Sequence, residues 1–149
     1  MTYKAMKEKH QTEVNDFLHD FAFFAFNDDQ AKEGLAKLGI KKNAAGQKLV
    51  SLGAGGYLLK DHVKDWYEMN QRHRAERDAA INDPETGADF AKGMFITELD
   101  NHEYSYTLSC EDAIFSLGYS WDDINSNPIL TRALFDACQE IRERGADDD

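Results

Sequence analysis

The sequence has few of the features that build covalent, metal-stabilised or membrane-embedded architectures. Its 149 residues include only two cysteines and two prolines. Two cysteines cannot complete a four-cysteine zinc site, and a chain of this length can form a hydrophobic core without disulfides. The longest uninterrupted apolar run, residues 21–26, is far too short to cross a bilayer, and the polar N-terminal segment lacks the apolar stretch of a signal peptide. We therefore expect a cytoplasmic protein that does not associate with membranes.

Basic residues are scarce in the last third of the chain. The formal net charge is −11. Residues 1–97 carry 15 acidic and 14 basic residues, a net of −1, whereas residues 98–149 carry 13 acidic residues and three arginines, a net of −10. A field this one-sided repels nucleic acid and attracts cationic surfaces, including the grooves in which other proteins hold nucleic acid. The alternative is that these acids only keep a small protein soluble.

Six acids on predicted exposed helical turns are the candidate contacts with a basic partner. They form three closely spaced pairs, and their charges would offer a basic groove something like the phosphates of a nucleic-acid strand. The predicted partner-binding residues are Glu111, Asp112, Asp122, Asp123, Asp136 and Glu140.

Composition and periodicity predict an α+β protein that is mostly helical, with about five to six helices and one glycine-tipped β-hairpin. Hydrophobic residues make up 42% of the chain and aromatic residues 11%, which is typical of a globular protein rather than a disordered one. We expect a single domain over residues 1–144, followed by a frayed acidic tail over residues 145–149.

Capping residues position several predicted helices. Asn27 or Asp28 can begin a helix that Gly39 ends, Ser120 can cap a helix with an acidic first turn, and Asn127 precedes the last helix. The other predicted elements are helices over residues 3–17, 62–81 after Asp61, 88–107, and 110–118 after Ser109, a loop over residues 41–48, and strands over residues 48–52 and 57–60. Residues 21–26 fit either a short buried strand or a buried turn.

Three glycines fall within four positions in the segment SLGAGGYLLKDH, residues 51–62. A phosphate-binding P-loop needs four residues between its glycines and then Gly-Lys-Ser/Thr, which this segment lacks. A dinucleotide-binding turn needs a third glycine where Leu58 stands. We interpret the segment as the tip of a β-hairpin, where glycine supplies a positive φ. The alternative is a backbone concavity in which Gly55 and Gly56 approach a ligand or partner closely.

The segment NHEY, residues 101–104, is the other candidate for chemistry. Glu98 and His102 have the spacing of two metal ligands on one helix, and His73 with Glu76 would add a second pair if the two helices packed together. A histidine beside carboxylates can also act as a general base, whereas a His or Asn that caps a helix explains the segment equally well. The candidate ligand-binding residues are Gly55, Gly56, His73, Arg77, Asn101, His102 and Glu103. No catalytic residue, metal ligand or cofactor is assigned.

Four segments, FFAFNDDQ…GLAKLG, SLGAGGYLLK, ELDNHEYSYT and EDAIFSLGYSWDDI, occur in this order. They resemble a family of small, uncharacterised acidic proteins carried by phages and mobile elements of Gram-positive and gut bacteria. The similarity extends from about Lys4 to Arg144. That family has no established activity, so the resemblance implies no catalytic residues. It implies a setting, because small accessory proteins of mobile elements often counter host defence systems.

Charge and resemblance together predict an accessory protein that inhibits a host nucleic-acid-binding protein or nuclease through that partner's basic groove, as anti-CRISPR proteins do, without itself binding nucleic acid. Catalysis is not expected. Two alternatives stay open. One is a binder of a small molecule or nucleotide signal that uses a set of cations. The other is a small metal-dependent hydrolase around His102. The cations of the first alternative are Lys41, Lys42, Lys48, Arg72, Arg74 and Arg77.

Overall fold

The computed structural model describes residues 1–147, among which the chain forms nine α-helices and three β-strands. The elements are α1 Tyr3–Phe21, β1 Ala22–Phe24, α2 Asp28–Leu38, α3 Ala45–Lys48, β2 Leu49–Gly53, β3 Gly56–Leu59, α4 Val63–Ile81, α5 Gly87–Asn101, α6 Tyr104–Thr107, α7 Glu111–Ser116, α8 Trp121–Ser126 and α9 Pro128–Asp147, with 3-10 turns at Lys42–Ala44 and Lys60–His62. No helix in this described part of the chain is both long and apolar enough to span a membrane. Residues 148–149 of the expected acidic tail lie outside the described residues.

The mostly helical α+β class is confirmed, but two details of the prediction are wrong. The described residues form nine helices instead of five to six, and the expected hairpin is part of a three-stranded sheet. Helix α3 lies in the segment predicted as a loop. Helix α6 is separated from α5 because Glu103 has a φ of 58°, and a right-handed helix cannot continue through that conformation. Single-turn helices such as these have no apolar periodicity, so the sequence does not reveal them.

The chain divides into two compact units. One consists of residues 8–74, and the other consists of residues 1–7 together with the chain from Ala75 onward. Helices α1 and α4 each contribute residues to both units. The expectation of a single domain over residues 1–144 stays a prediction.

The sheet lies in the unit of residues 8–74 and has the strand order β1-β3-β2, with both pairs antiparallel. Ala22 pairs with Leu58, and both side chains are fully buried. The Phe23 ring stacks on Tyr57 with centroids 5.4 Å apart. It also lies against Gly34 of α2, where a Cβ atom would overlap the ring. The segment that fits either a strand or a turn therefore contains a strand, and a glycine lets α2 pack closely on it.

Helices α1 and α4 contact each other within this same unit through pairs of rings. The Phe17 and Trp66 centroids are 5.6 Å apart. Phe21 stacks on the His62 imidazole at 3.8 Å. These contacts join residues that lie more than forty positions apart in the sequence, so no local pattern predicts them.

The second unit has its hydrophobic core between α5 and α9, with α7 packed against α5. The buried residues of each long helix recur every three or four positions, which is the spacing of one helical face. Burying a side chain of this size contributes about 1.5–3 kcal/mol. The main core residues of the two helices are Phe90, Met94, Phe95, Leu99, Leu130, Leu134, Ala137 and Ile141.

Three predicted N-caps are confirmed. The Asn27 side chain accepts a hydrogen bond from the Gln30 backbone N–H at 2.9 Å. Ser120 and Asp123 form a reciprocal capping box at the start of α8. The Asn127 side chain accepts hydrogen bonds from two backbone N–H groups in the first turn of α9. Each bond satisfies donors that the first turn of a helix leaves open.

One predicted helix end is confirmed and one predicted cap is wrong. Gly39 follows α2 with a φ of 68°, the left-handed conformation expected of a helix stop. Ser109 does not cap α7, because the helix begins at Glu111 and the preceding residue is Cys110, which makes no side-chain capping bond.

Candidate functional site

Helices α7 and α8 each present two acids in their first turn, within the unit that contains α5 and α9. Glu111 and Asp112 begin α7, whereas Asp122 and Asp123 lie at the start of α8. All four residues are exposed. Carboxylates are favoured at these positions because the first turn of a helix has open N–H groups and a partial positive charge. We name Glu111, Asp112 and Asp122 the acidic surface.

The other three predicted partner-binding acids have partners within the described part of the chain. Asp123 accepts a hydrogen bond from the Ser120 backbone N–H at 2.8 Å and so closes the capping box. Asp136 forms an ion pair with Arg132, one turn earlier in α9, and Glu140 pairs with Lys92 of α5 at 3.2 Å. Within residues 1–147, the three residues of the acidic surface form no ion pair. The six predicted acids therefore divide into two groups that the sequence does not distinguish.

An apolar groove of about 530 Å³ lies between α8 and α9. Trp121 and Phe135 are 39% and 61% exposed, which is unusual for large aromatic side chains. The groove residues are Cys110, Trp121, Ile124, Asn125, Thr131, Leu134, Phe135, Cys138, Gln139 and Arg142. We call this feature the α8–α9 groove.

Sequence reasoning missed this groove, although one signal pointed to it. The buried residues of α9 recur along one face of the helix, from Leu130 to Ile141. Phe135 lies outside that spacing, so an aromatic side chain on this helix had to be exposed. Trp121 occupies the first position of α8, directly after its cap.

Helix α6 is a single exposed turn with a left-handed residue at each end. Glu103 precedes it with a φ of 58°, and Leu108 follows it with a φ of 57°. Tyr106 and Leu108 are 87% and 61% exposed. A left-handed conformation is costly for residues that have a Cβ atom. Tyr104 anchors the turn, because its side chain is almost completely buried.

His102 forms part of the end of α5. Its Nδ1 lies 2.7 Å from the backbone carbonyl oxygen of Glu98, so Nδ1–H donates to a carbonyl of the last turn. Its backbone N–H also donates to that oxygen, at 3.1 Å. Asn101 and Glu103 are exposed beside it. This geometry corresponds to the alternative in which the NHEY segment caps a helix. No group of three or more His, Cys, Asp and Glu residues within residues 1–147 is arranged to hold a metal ion.

Glu98 is a buried acid with two donors. Its Oε1 accepts hydrogen bonds from the Tyr3 hydroxyl at 2.7 Å and from the Lys7 ammonium at 2.5 Å. Burial alone would raise the pKa of Glu98, but the hydrogen bonds from Lys7 and Tyr3 outweigh it and hold the pKa below its usual value. Burial and the bond to Glu98 raise the pKa of Tyr3. We name these three residues the Glu98 cluster.

His73 and Arg72 contact α1 within the unit of residues 8–74. The His73 ring stacks on His10 with centroids 3.9 Å apart, and its Nε2 lies 2.9 Å from a carboxylate oxygen of Glu13. Arg72 pairs with the same carboxylate. His73 is 9% exposed, so it offers little surface to a ligand.

Arg77 also has internal partners. Its guanidinium donates to the Leu117 carbonyl at 2.9 Å and lies 5.1 Å from the centre of the Tyr119 ring, all within the second unit. Among the cations proposed for a nucleotide ligand, Arg77 is therefore engaged in packing, and Arg72 forms an ion pair. The other four cations, Lys41, Lys42, Lys48 and Arg74, are exposed and form no ion pair with any residue that the structure describes.

The glycine-rich tip turns the chain between β2 and β3. Ala54 and Gly55, the two turn residues, have φ values of 50° and 80°, as in the tight turns that match the twist of a hairpin. Gly56 does not have a positive φ, so the expected reason for a glycine is wrong there. A Cβ atom at Gly56 would lie 2.8 Å from the Phe24 ring, and one at Gly55 would lie 2.7 Å from the Phe26 ring. Gly55 therefore meets a conformational need of the turn, whereas a side chain at Gly56 would require the half-exposed Phe24 ring to move.

The comparison with protein families gives one result. The model of a family of unknown function (DUF7659) matches residues 2–140. The chain therefore belongs to this family. Neither a curated protein nor a solved structure matches the chain. The expected membership of an uncharacterised family is thus confirmed, whereas no relative supplies an activity, a substrate or a partner.

Proposed function

We propose that this member of the DUF7659 family is an accessory protein of a phage or mobile element that inhibits a host nucleic-acid-binding protein or nuclease. It acts in the cytoplasm of the bacterial host. Its mode of inhibition resembles that of anti-CRISPR proteins. Its acidic surface occupies the basic groove in which the partner holds nucleic acid. The protein needs no cofactor, binds no nucleic acid itself and works by occupancy rather than by catalysis.

The observation that carries this proposal is the exposure of Glu111, Asp112 and Asp122 on two successive helix starts. Between Leu108 and Thr131 the chain has four acids and no Lys or Arg. The field of this segment is therefore not cancelled by neighbouring cations in the sequence. Such a field steers a basic partner toward it and disfavours nucleic acid.

The two alternative functions have less support. A metal-dependent hydrolase around His102 would need further ligands near Nε2, the ring nitrogen that the bond to the Glu98 carbonyl leaves open, whereas no group of three or more His, Cys, Asp and Glu residues within residues 1–147 is arranged to hold a metal ion. A nucleotide-signal binder would need converging cations, whereas Arg77 and Arg72 have internal partners.

The test is a capture experiment from a bacterial lysate, washed at low and at high salt. The wild type should retain a nucleic-acid-binding protein at low salt and release it at high salt, because exposed charge pairs are screened by ions. The variant Asp112→Lys with Asp122→Lys should fail to retain it. A matched control, Glu85→Lys with Asp89→Lys, makes the same change in net charge at exposed positions of the same unit.

The outcomes distinguish binding through the acidic surface from a general effect of net charge. Loss of the partner with the first variant and retention with the control would support the acidic surface. Equal retention by all three proteins, or equal loss with both variants, would contradict it.

A further inference from the structure

The α8–α9 groove has an apolar lining with acids next to it in the chain. Cys110, Trp121 and Phe135 line the groove, and each is followed directly by an acid: Glu111, Asp122 and Asp136. None of the three acids lines the groove itself, but each adjoins a residue that does. The apolar depression therefore has acids as direct chain neighbours of its lining.

We infer that the α8–α9 groove binds a segment of a protein partner in which a large aliphatic or aromatic side chain is flanked by Lys or Arg. The inference rests on the proposed function, because it describes the partner of the same surface. It adds an apolar anchor to an interaction that charge alone would leave weak and salt-sensitive.

Size and lining favour a protein side chain as the occupant. A groove of about 530 Å³ that is open to solvent can accept one or two large side chains. Trp is among the residues that most often dominate binding energy at protein interfaces, and Phe is enriched at their cores. A scattered set of single apolar residues would not form a depression of this kind.

Two cations lie at or near the groove. Arg142, the one charged residue of the lining, has its guanidinium 5.8 Å from the centre of the Tyr104 ring, a contact that leaves its charge in place. Arg132 pairs with Asp136 and lies 5.9 Å from the Phe135 ring. Glu111 and Asp122 have no such cation within residues 1–147. A basic flank on the partner would therefore meet carboxylates that no ion pair already occupies.

The two cysteines supply a local reporter. Cys110 and Cys138 are the only cysteines of the chain, both are free, and both line the groove. Burial raises the pKa of the Cys110 thiol, so labelling should be done at mildly alkaline pH. A segment bound in the groove should slow alkylation of these thiols by a maleimide reagent, whereas a segment bound elsewhere should not.

The experiment uses a display library of random short peptides, selected on the whole wild-type protein. We expect enriched peptides to carry one or two large apolar residues with Lys or Arg beside them. Their affinity, measured by calorimetry, should fall at least about tenfold with Trp121→Ala or Phe135→Ala. The matched control is Phe115→Ala, which removes an exposed aromatic of α7 that does not line the groove, and it should leave affinity unchanged. Melting curves of all variants identify any that fail to fold.

Three results would overturn the inference: no enrichment, enrichment of acidic peptides, or enriched peptides that bind Phe135→Ala and Trp121→Ala as well as wild type without slowing alkylation. The proposed function fails separately. If the groove variants lose peptides while Asp112→Lys with Asp122→Lys still retains its lysate partner, the apolar site stands and charge mimicry falls. If the groove variants still bind the peptides while Asp112→Lys with Asp122→Lys loses its lysate partner, charge mimicry stands and the groove does not contribute.

Discussion

The Glu98 cluster and the acidic surface use the same functional group in opposite ways. Glu98 is 5% exposed and accepts hydrogen bonds from Tyr3 and Lys7. Asp112 and Asp122 are exposed and form no ion pair within residues 1–147. A buried carboxylate without donors would be very costly, whereas an exposed one is solvated by water. Glu98 and the acidic surface both lie in the acidic third of the sequence, so an excess of acids does not by itself indicate binding.

The difference shows that the role of an acid follows from its partners. Acids such as Glu98, Asp123 and Glu140 have partners within the chain that already engage their charge. Acids without them have charge available to another molecule. The substitutions below test this division, beginning with the largest expected effect.

The largest expected effect is on Glu98. Glu98→Ala should lower the free energy of unfolding by about 3 kcal/mol, because it leaves the buried Tyr3 hydroxyl and the Lys7 ammonium without their acceptor. Urea denaturation of both proteins measures the difference. The comparison variant Glu111→Ala, on the acidic surface, should have an unfolding curve like that of wild type. Equal effects of the two substitutions would abolish the distinction between the regions.

The pH dependence of stability should also identify Glu98. Its pKa is lower in the folded protein than its usual value. Its ionised form therefore stabilises the fold above the unfolded pKa, and this contribution is lost as the pH falls through the folded pKa. Glu98→Gln should be less stable than wild type at neutral pH and should lose less stability on acidification. Denaturation series at several pH values test this, and parallel acid profiles for the two proteins would be the contrary result.

A smaller effect is expected at His102. His102→Ala removes one hydrogen bond to the end of α5 and should cost about 1 kcal/mol. A chelator should leave the melting temperature of wild type unchanged, because a helix-capping histidine needs no metal. Differential scanning calorimetry with and without chelator measures both. A drop of several degrees with chelator would favour a metal site around His102 instead.

The smallest effects separate two neighbouring acids. Asp123→Lys should destabilise the protein by about 1 kcal/mol, because it breaks the capping box with Ser120. Asp122→Lys should cost less, because it loses only the attraction between a carboxylate and the first turn of α8, and it should act mainly on partner binding. Thermal melts of the two variants make the comparison at equal net charge. If both variants melt alike, the capping box does not distinguish these residues.

Local features of the fold could be predicted from the sequence. The caps at Asn27, Ser120 and Asn127 and the stop at Gly39 were predicted correctly, because each depends on a few adjacent residues. The single-turn helices were not, since one turn has no periodicity. The sequence left open whether residues 21–26 form a strand, because strand β1 pairs with β3, which is more than thirty residues away.

The candidate site was predicted only in part. The exposed acids of α7 and α8 could be located from helix starts, whereas the α8–α9 groove depends on how α9 packs. Glu98 was considered as a metal ligand because its spacing to His102 is local, but its partner Tyr3 is 95 positions away. Long-range contacts of this kind decide which acids are buried, and the spacing of residues within one segment does not predict them.

Competition with nucleic acid tests the central claim most directly. The host protein captured by wild type would be titrated with duplex DNA or RNA while binding of this chain is followed. Nucleic acid should displace the chain, and Asp112→Lys with Asp122→Lys should compete less well than Glu85→Lys with Asp89→Lys, because the acidic surface and the phosphates need the same basic groove. If the partner binds nucleic acid and this chain at the same time, the acidic surface does not mimic phosphates.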